Sequence, residues 1–336
     1  MRIGVIGAGA IGGTIAALLD RVGHLVEVTA RGEQLAAIRG SGLRLDGGWG
    51  IHTARIPASE TLHDVPELAF VCTKAQDAPA AIRANAALLD GIPVIIVQNG
   101  LAGLREAEEL LPGSACVGAL ALYAASFLSP GHVSVTTTAN TYLGAGDGPP
   151  PPAAVEAARI LDAAMPAFAI DNFTGAQWTK LIVNQINALP AITGLSAQEV
   201  LGDRRLRPIM TASLQEATRV GYARRIRYGS IQGLDDRLLR IVAHAPRWAA
   251  QAVPLLMKRR MGTTPNPGST LQSIRRGQLT EIDYLNGAVV DEARAAGIDA
   301  PINAAITALV HEVERTRTFL SPDDVASRMR PLLTAA

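Results

Sequence analysis

Aromatic residues are scarce in this chain: three Trp, five Tyr and five Phe make up 4% of its 336 residues. A core without many large rings must be filled by Ala, Val, Ile and Leu, and a hydrophobic content of 48% supplies them. A chain of this length suits two domains and can bury a sizeable core. Charge of one sign is missing too. The 31 basic and 30 acidic residues leave a formal net charge of +1, which argues against a general nucleic-acid surface. Two local clusters, Arg224, Arg225, Arg227 and Lys258, Arg259, Arg260, read as solvated helix faces. Cysteine is almost absent. Cys72 and Cys116 lie far apart without metal-ligand spacing, and two ordinary thiols explain them better than a disulfide does. The six histidines (24, 52, 63, 132, 244 and 311) are isolated, with no HxxH or HxxxH pair, so metal catalysis has no support and no metal is expected. No uninterrupted apolar span is long enough to cross a bilayer. The N-terminus is apolar but lacks a cleavable-signal pattern. The expectation is a cytoplasmic protein without membrane or nucleic-acid partners.

What is present is concentrated in the first 31 residues. An apolar run, Ile3-Gly4-Val5-Ile6, breaks into Gly7-Ala8-Gly9-Ala10-Ile11-Gly12. A helical stretch follows from Gly13 to Arg21, then a second apolar run, Leu25-Val26-Glu27-Val28. Strand, glycine loop, helix and strand in that order form the context that a dinucleotide site requires. Gly7 permits the tight turn, Gly9 lets the backbone approach a pyrophosphate, and Gly12 lets the helix pack close on its strand. The helix N-terminus offers free N–H groups and partial positive charge to the phosphates. The end of the second strand selects the nucleotide. An NAD site carries Asp or Glu there to bond the ribose hydroxyls, whereas this chain reads Thr29-Ala30-Arg31. A guanidinium can fork onto a 2′-phosphate that a carboxylate would repel, so NADP(H) is favoured. Glu27 lies inside the strand, too early for the ribose role. The plainer alternative is that Arg31 merely solvates a strand end.

Further along, Glu33–Arg39 is predicted helical, and Leu43–Ile56 suggests a hairpin or irregular strands. Leu68–Thr73 and Pro93–Val97 read as buried parallel strands, with a helix over Pro79–Leu89 between them. Lys74 and Asn99 follow the carboxyl ends of these strands, where doubly wound sheets bind ligands, so both are candidates for the cofactor site. For Asn99-Gly100 a plain turn is the competing reading. Ser114–Tyr123, His132–Thr138 and Thr141–Gly144 read as further strands. Ala153–Ala164 reads as a helix, and Ala167–Asn172 as a last strand. From Ala176 onward the pattern is almost wholly helical. The expected architecture is therefore α/β, a doubly wound sheet over residues 1–174 followed by an all-α domain over 175–336.

The helical half carries two polar constellations. Trp178–Leu189 is predicted as one amphipathic helix in which Lys180, Asn184 and Asn187 share a face, opposite Ile182, Ile186 and Leu189. A Lys and two Asn without acidic neighbours suit an anionic or carbonyl substrate, although an ordinary wet helix face fits the same spacing. The second constellation runs from Asn266 through Ser269 to Gln272 and from Gly277 to Asp283. Thr280 with Asp283 resembles a capping box, which predicts a helix from Glu281 with a buried stripe of Ile282, Leu285, Val289 and Ala293. Gly297 and Pro301 would end it.

Taken together, Gly7–Gly12 with Arg31, Lys74, Gln98-Asn99-Gly100, Trp178-Thr179-Lys180-Leu181 with Asn184, and Ser269 with Thr280-Glu281-Ile282-Asp283-Tyr284 resemble the ketopantoate reductase family. The match covers nearly the whole chain in the right order. The resemblance implies a Rossmann-like N-terminal domain, a helical C-terminal domain and NADPH-dependent reduction of a small 2-keto acid, 2-dehydropantoate, in the cleft between them. The 2-hydroxy acid product, pantoate, belongs to pantothenate biosynthesis. The resemblance assigns Lys180 as general acid with Glu281 as its partner. It places Asn99, Asn184 and Ser269 on the substrate and Arg31 on the 2′-phosphate. Three departures fall at Asn187, which follows Asn184 by three residues where four is usual, at Pro190 in place of Thr, and at Gln272-Ser273 in place of Gln-Asp. They bear on which 2-keto acid is taken more than on the reaction type. Two alternatives stay open: a related reductase or dehydrogenase of another keto acid, a 3-hydroxy acid or an imine, and a non-catalytic NADP(H)-sensing module. The composition permits, without requiring, a homodimer through the long C-terminal helices.

Overall fold

The computed structural model describes residues 1–262 and 265–335. The chain divides into two compact units, Met1–Thr174 and Gly175–Ala336. In the first, β1 (Arg2–Ile6), α1 (Ala10–Arg21), β2 (Leu25–Thr29) and α2 (Gly32–Ser41) lead into a short hairpin, β3 (Leu43–Gly47) and β4 (His52–Ala54). Next come β5 (Ala58–Ser59), β6 (Leu68–Val71), α3 (Ala78–Leu89), β7 (Pro93–Val97), α4 (Gly103–Leu110) and β8 (Ala115–Ala121). The unit closes with β9 (Ala124–Ser129), β10 (His132–Thr137), β11 (Thr141–Gly144), α5 (Pro152–Asp162) and β12 (Ala167–Ala169).

Eight strands form one sheet in the order β12-β11-β8-β7-β6-β1-β2-β5. From β5 to β8 the neighbours are parallel, and only the β11–β8 pairing is antiparallel. All four residues of β6 are buried, as are Ile3–Ile6 of β1 and Val94–Val97 of β7, because a parallel sheet carries helices on both faces. This is the Rossmann-like doubly wound architecture that the hydrophobic runs predict. A second sheet, β4-β3-β10-β9, covers α1. Its Leu43, Leu45, Val133 and Val135 join Ile15 and Leu18 of α1 in one core. The hairpin expected near residues 43–56 is present as β3 and β4, but β3 also pairs in parallel with the distant β10. The strand β9 has no fully buried residue, and the short helix α4 buries Ala107 with Leu104 and Leu110 packed beside it.

The second unit is helical. Its first helix, α6 (Phe173–Asn184), starts in the last two residues of the first unit. It is followed by α7 (Ala188–Thr193), α8 (Ala197–Gly202), α9 (Arg207–Ala223), α10 (Asp236–His244), α11 (Arg247–Ala250) and α12 (Ala252–Arg260). The last four are α13 (Gly268–Arg275), α14 (Asn286–Ala295), α15 (Pro301–Thr316) and α16 (Pro322–Ala335). Buried α9 packs against α10, α14 and α15. It carries Ser213 and Glu216 into a polar network. Ser213 Oγ and Asn286 Nδ2 each donate to Asn303 Oδ1 at 2.9 Å, and Asn303 Nδ2 donates to Glu216 Oε2 at 2.6 Å. The Glu216 carboxylate also accepts from the Ile302 and Asn303 N–H groups at 3.1 and 2.7 Å. It thus supplies the first turn of α15 with acceptors that the helix itself lacks.

Two expectations need correction here. The helix expected over residues 178–189 is broken: α6 ends at Asn184, a 3₁₀ turn spans Gln185–Asn187, and α7 begins at Ala188. Pro190 explains the break. Inside a continuous helix it would remove a hydrogen bond and clash with the carbonyl four residues back. Starting a new helix at Ala188 puts Pro190 in a first turn, where its missing N–H has no helical acceptor to lose. The helix expected from Glu281 also starts late. Residues Ile282–Tyr284 form a 3₁₀ turn and α14 begins at Asn286. No capping box forms: Thr280 Oγ1 accepts from Ile282 N at 3.2 Å, and the Asp283 carboxylate meets His311 instead. The stripe Ile282, Leu285, Val289 and Ala293 is buried as expected.

Candidate functional site

The parallel register aligns the carboxyl ends of four adjacent strands. Ile6 lies opposite Thr29 and Val71, and Val71 opposite Ile96. The residues that follow these ends therefore share one edge of the sheet: the glycine loop after β1, Arg31 after β2, Lys74 after β6 and Asn99 after β7. Arg31 is exposed and occupies the N-cap position of α2, while Lys74 and Asn99 are half-buried.

Each glycine of the loop has a separate structural reason. Gly7 adopts φ +98° against the Thr73 backbone, and a Cβ on Gly12 would lie 2.0 Å from the Gly7 carbonyl oxygen. At Gly9 a Cβ would meet nothing within 4 Å. The fold itself does not demand glycine there, whereas a pyrophosphate lying against the backbone would. Ala10, Ile11 and Gly12 form the first turn of α1, where N–H groups lack helical acceptors and favour an anion. The loop is held from below. Gly7 N donates to Thr29 Oγ1 at 3.0 Å and Ala8 N to the Thr29 carbonyl at 2.9 Å. Gln34 Nε2 donates to the Ala8 carbonyl and Gly131 N to Gln34 Oε1, both at 2.6 Å. These residues fit an NAD(P)-type dinucleotide. Glu27 is engaged elsewhere: its carboxylate takes His63 Nδ1 at 2.7 Å and Ser59 Oγ at 3.1 Å.

In the second unit Lys180 and Asn184 lie one turn apart on α6, and both are half-buried. A 3₁₀ turn eclipses positions i and i+3, so Asn187 stays on the side of Asn184 despite the broken helix. Asn187 rests against the turn into α13, where Gly268 adopts φ +69° and a Cβ would lie 2.6 Å from Asn187 Oδ1. Ser269, the next residue, is exposed in the first turn of α13. Glu281 precedes the 3₁₀ turn at 282–284 and is near enough for its charge to act on Lys180. Burial strips water from the Lys180 ammonium and pulls its pKa down to about 8, with the Glu281 carboxylate opposing the fall. The amine is thus charged at neutral pH and gives up a proton far more readily than an ordinary lysine.

Sequence patterns did not reveal Gln34, nor the group around Glu281. Thr280 N donates to Glu314 Oε1 at 2.7 Å, while His311 lies 2.7 Å from Glu314 Oε2 and 2.8 Å from Asp283 Oδ1. Apart from His311 and Glu314, three residues apart on one helix, the partners lie 26 to 97 residues apart and leave no local spacing to read. Both cysteines are free, and burial pushes both thiols up, Cys116 to about 11. Among the described residues no three His, Cys, Asp or Glu side chains are grouped to hold a metal ion, and no helix is long and apolar enough to cross a membrane.

Comparison with known proteins adds an independent line. The family model described as ketopantoate reductase PanE/ApbA matches residues 3–148, and the model of its C-terminal part matches residues 172–314. The 2-dehydropantoate 2-reductase of Archaeoglobus fulgidus is 30% identical over 323 residues, covering 93% of this chain and 98% of that protein. A crystal structure of a PanE/ApbA family ketopantoate reductase from Ralstonia eutropha is 29% identical with a TM-score of 0.78, covering 94% of this chain and 99% of that one. The fold is also that of D-mandelate dehydrogenase, solved with NADH and anilino(oxo)acetate: 22% identity, TM-score 0.81, and 94% and 99% of the two chains covered.

Proposed function

The chain belongs to the ketopantoate reductase family, oxidoreductases acting on CH–OH groups, and from that membership we propose that it reduces 2-dehydropantoate to pantoate with NADPH. The observation that carries this reading is the placement of Lys180, one turn from Asn184 on the polar face of α6 and near enough to Glu281 for that carboxylate to act on it, with burial pulling its pKa down to about 8. Reduction of a ketone needs a group that stabilises the developing alkoxide and then protonates it, and an acid with a pKa near the working pH does both. NADPH, held by the glycine loop, Lys74 and Arg31, would supply the hydride for C2 of the keto acid. Lys180 donates the proton to the C2 oxygen, and Glu281 holds the ammonium in place. Asn184, Asn187 and Ser269 bond the substrate's hydroxyl and carboxylate groups, and Asn99 serves substrate and cofactor alike. The glycine loop, Gly7 to Gly12, receives the pyrophosphate on the first turn of α1. Lys74 contributes to the cofactor site, and Arg31 bonds the 2′-phosphate. Residues 1–174 are in this reading the nucleotide-binding domain and 175–336 the substrate domain.

A second reading, a related 2-keto acid as substrate, is favoured by one observation. The turn at 185–187 presents Asn187, one of the departures from the family pattern, through a 3₁₀ phase and seats it on Gly268. NADPH oxidation against a panel of 2-keto acids that includes 2-dehydropantoate tests both readings. The first expects the highest kcat/KM on 2-dehydropantoate. A higher value on another 2-keto acid moves the assignment to the second reading, and no turnover on any member of the panel overturns both.

A further inference from the structure

We propose that His311 is a positioning residue for Glu281, a two-sided clamp whose charged ring holds both flanks of the segment from Thr280 to Asp283. The inference rests on the assignment of Glu281 as the partner of Lys180. Glu281 sits on a short stretch between two helices, without regular helix of its own. Its neighbours on either side are tied to one face of α15, where His311 and Glu314 stand three residues apart. On the N-terminal side, Thr280 N donates to Glu314 Oε1 at 2.7 Å. On the C-terminal side, Asp283 Oδ1 lies 2.8 Å from His311 Nε2. The loop is closed by His311 Nδ1, 2.7 Å from Glu314 Oε2.

Hydrogen-bond inventory fixes the protonation state that this geometry needs. Ionised carboxylates only accept, so both ring nitrogens must donate, and only the imidazolium has two N–H groups. A neutral ring can serve one carboxylate and must release the other. The surrounding charges favour the imidazolium: burial works against it, but the Glu314 and Asp283 carboxylates outweigh burial and raise the His311 pKa above its usual 6.5. Burial likewise works to raise Glu314, yet the bonds from Thr280 and His311 bring it below its usual value. The next acid on the helix, Glu312, is taken by Arg328 at 2.7 Å. The sign follows from linkage. A pKa raised on folding means that, while both carboxylates stay ionised, the imidazolium's contribution is fully present below 6.5 and is lost as pH rises through the higher folded value.

The test uses the full chain, with NMR titration of the His311 ring and amide exchange at Ile282, Tyr284 and Leu285, alongside NADPH-dependent reduction. In the unaltered protein the ring should titrate above 6.5. Exchange in the segment, corrected for its intrinsic pH dependence, should accelerate several-fold across that titration. His311→Gln should exchange at the fast rate at every pH and lose several-fold in kcat without a change in NADPH affinity. It should keep the limb near 8 that belongs to Lys180. Asp283→Asn, at an exposed position, should lower the ring's pKa and loosen the segment with little risk to folding. Exchange that ignores both the pH and the His311→Gln change overturns the clamp, whatever the activity. A loosened segment with unchanged kcat overturns the positioning role. If no 2-keto acid is reduced at all, it is the functional assignment that fails, and the exchange data still judge the clamp.

Discussion

At the scale of single residues the proposal turns on Lys180 and Arg31. If Lys180 delivers the proton, Lys180→Ala should lower kcat by roughly 10²–10⁴-fold and leave NADPH affinity nearly unchanged. Single-turnover hydride transfer, with nucleotide binding measured separately, checks this. An acid must be protonated to act, so the reductive rate should fall as pH rises through the Lys180 value of about 8. Glu281→Ala should be slow as well, and the double variant should cost less than the sum of the two, because residues acting as a unit are not additive. The NADPH reading rests on Arg31. With Glu27 bound to His63 and Ser59, it is not available to bond a ribose. Arg31→Ala should weaken NADPH by about 1.5–3 kcal/mol, the range for a hydrogen bond to a charged group, and NADH by little. Equal losses in a titration of the two nucleotides would remove the 2′-phosphate assignment.

At the scale of elements, the glycine loop separates what the fold needs from what a ligand needs. Gly12→Ala drives a Cβ to 2.0 Å from the Gly7 carbonyl oxygen and should cost about 1–3 kcal/mol of stability, as overpacking does. Gly9→Ala meets open space and should stay within about 0.5 kcal/mol of the parent in denaturant melts, yet lose nucleotide affinity at least tenfold, in the spirit of a blocked backbone approach. The same scale shows where periodicity misleads. Ile182, Ile186 and Leu189 keep helical spacing straight through the break at 185–187, because a 3₁₀ turn followed by a new helix can still bury one side. The one local mark of the break was Pro190. Thr280 and Asp283 offered a capping pattern that tertiary partners claimed first, Asp283 going to His311.

At the scale of the whole molecule, stability in the helical unit depends on a polar network as well as on its apolar stripes. Glu216→Ala leaves the Ile302 and Asn303 N–H groups and the Asn303 side chain without their acceptor. It should destabilise by about 1–3 kcal/mol in chemical denaturation, with nucleotide affinity unchanged because the loop lies in the other unit. Nothing local announces this network: Ser213, Glu216, Asn286 and Asn303 stand on three helices and look like ordinary surface polars in a linear pattern. The strand–loop–helix–strand start, the buried runs at β6 and β7, and the helical character after residue 176 were legible because each is set by neighbours a few residues away. Glycine turns, continuous apolar runs and helical spacing are local physics, and local physics is written in order along the chain. The pairing of β10 beside β3, the Gln34 tie between the glycine loop and Gly131, and the ring of bonds from Thr280 through Glu314 and His311 to Asp283 were decided only in the folded state. Periodicity says that a face is buried or a polar group exposed, and it carries no information about which distant group will meet it.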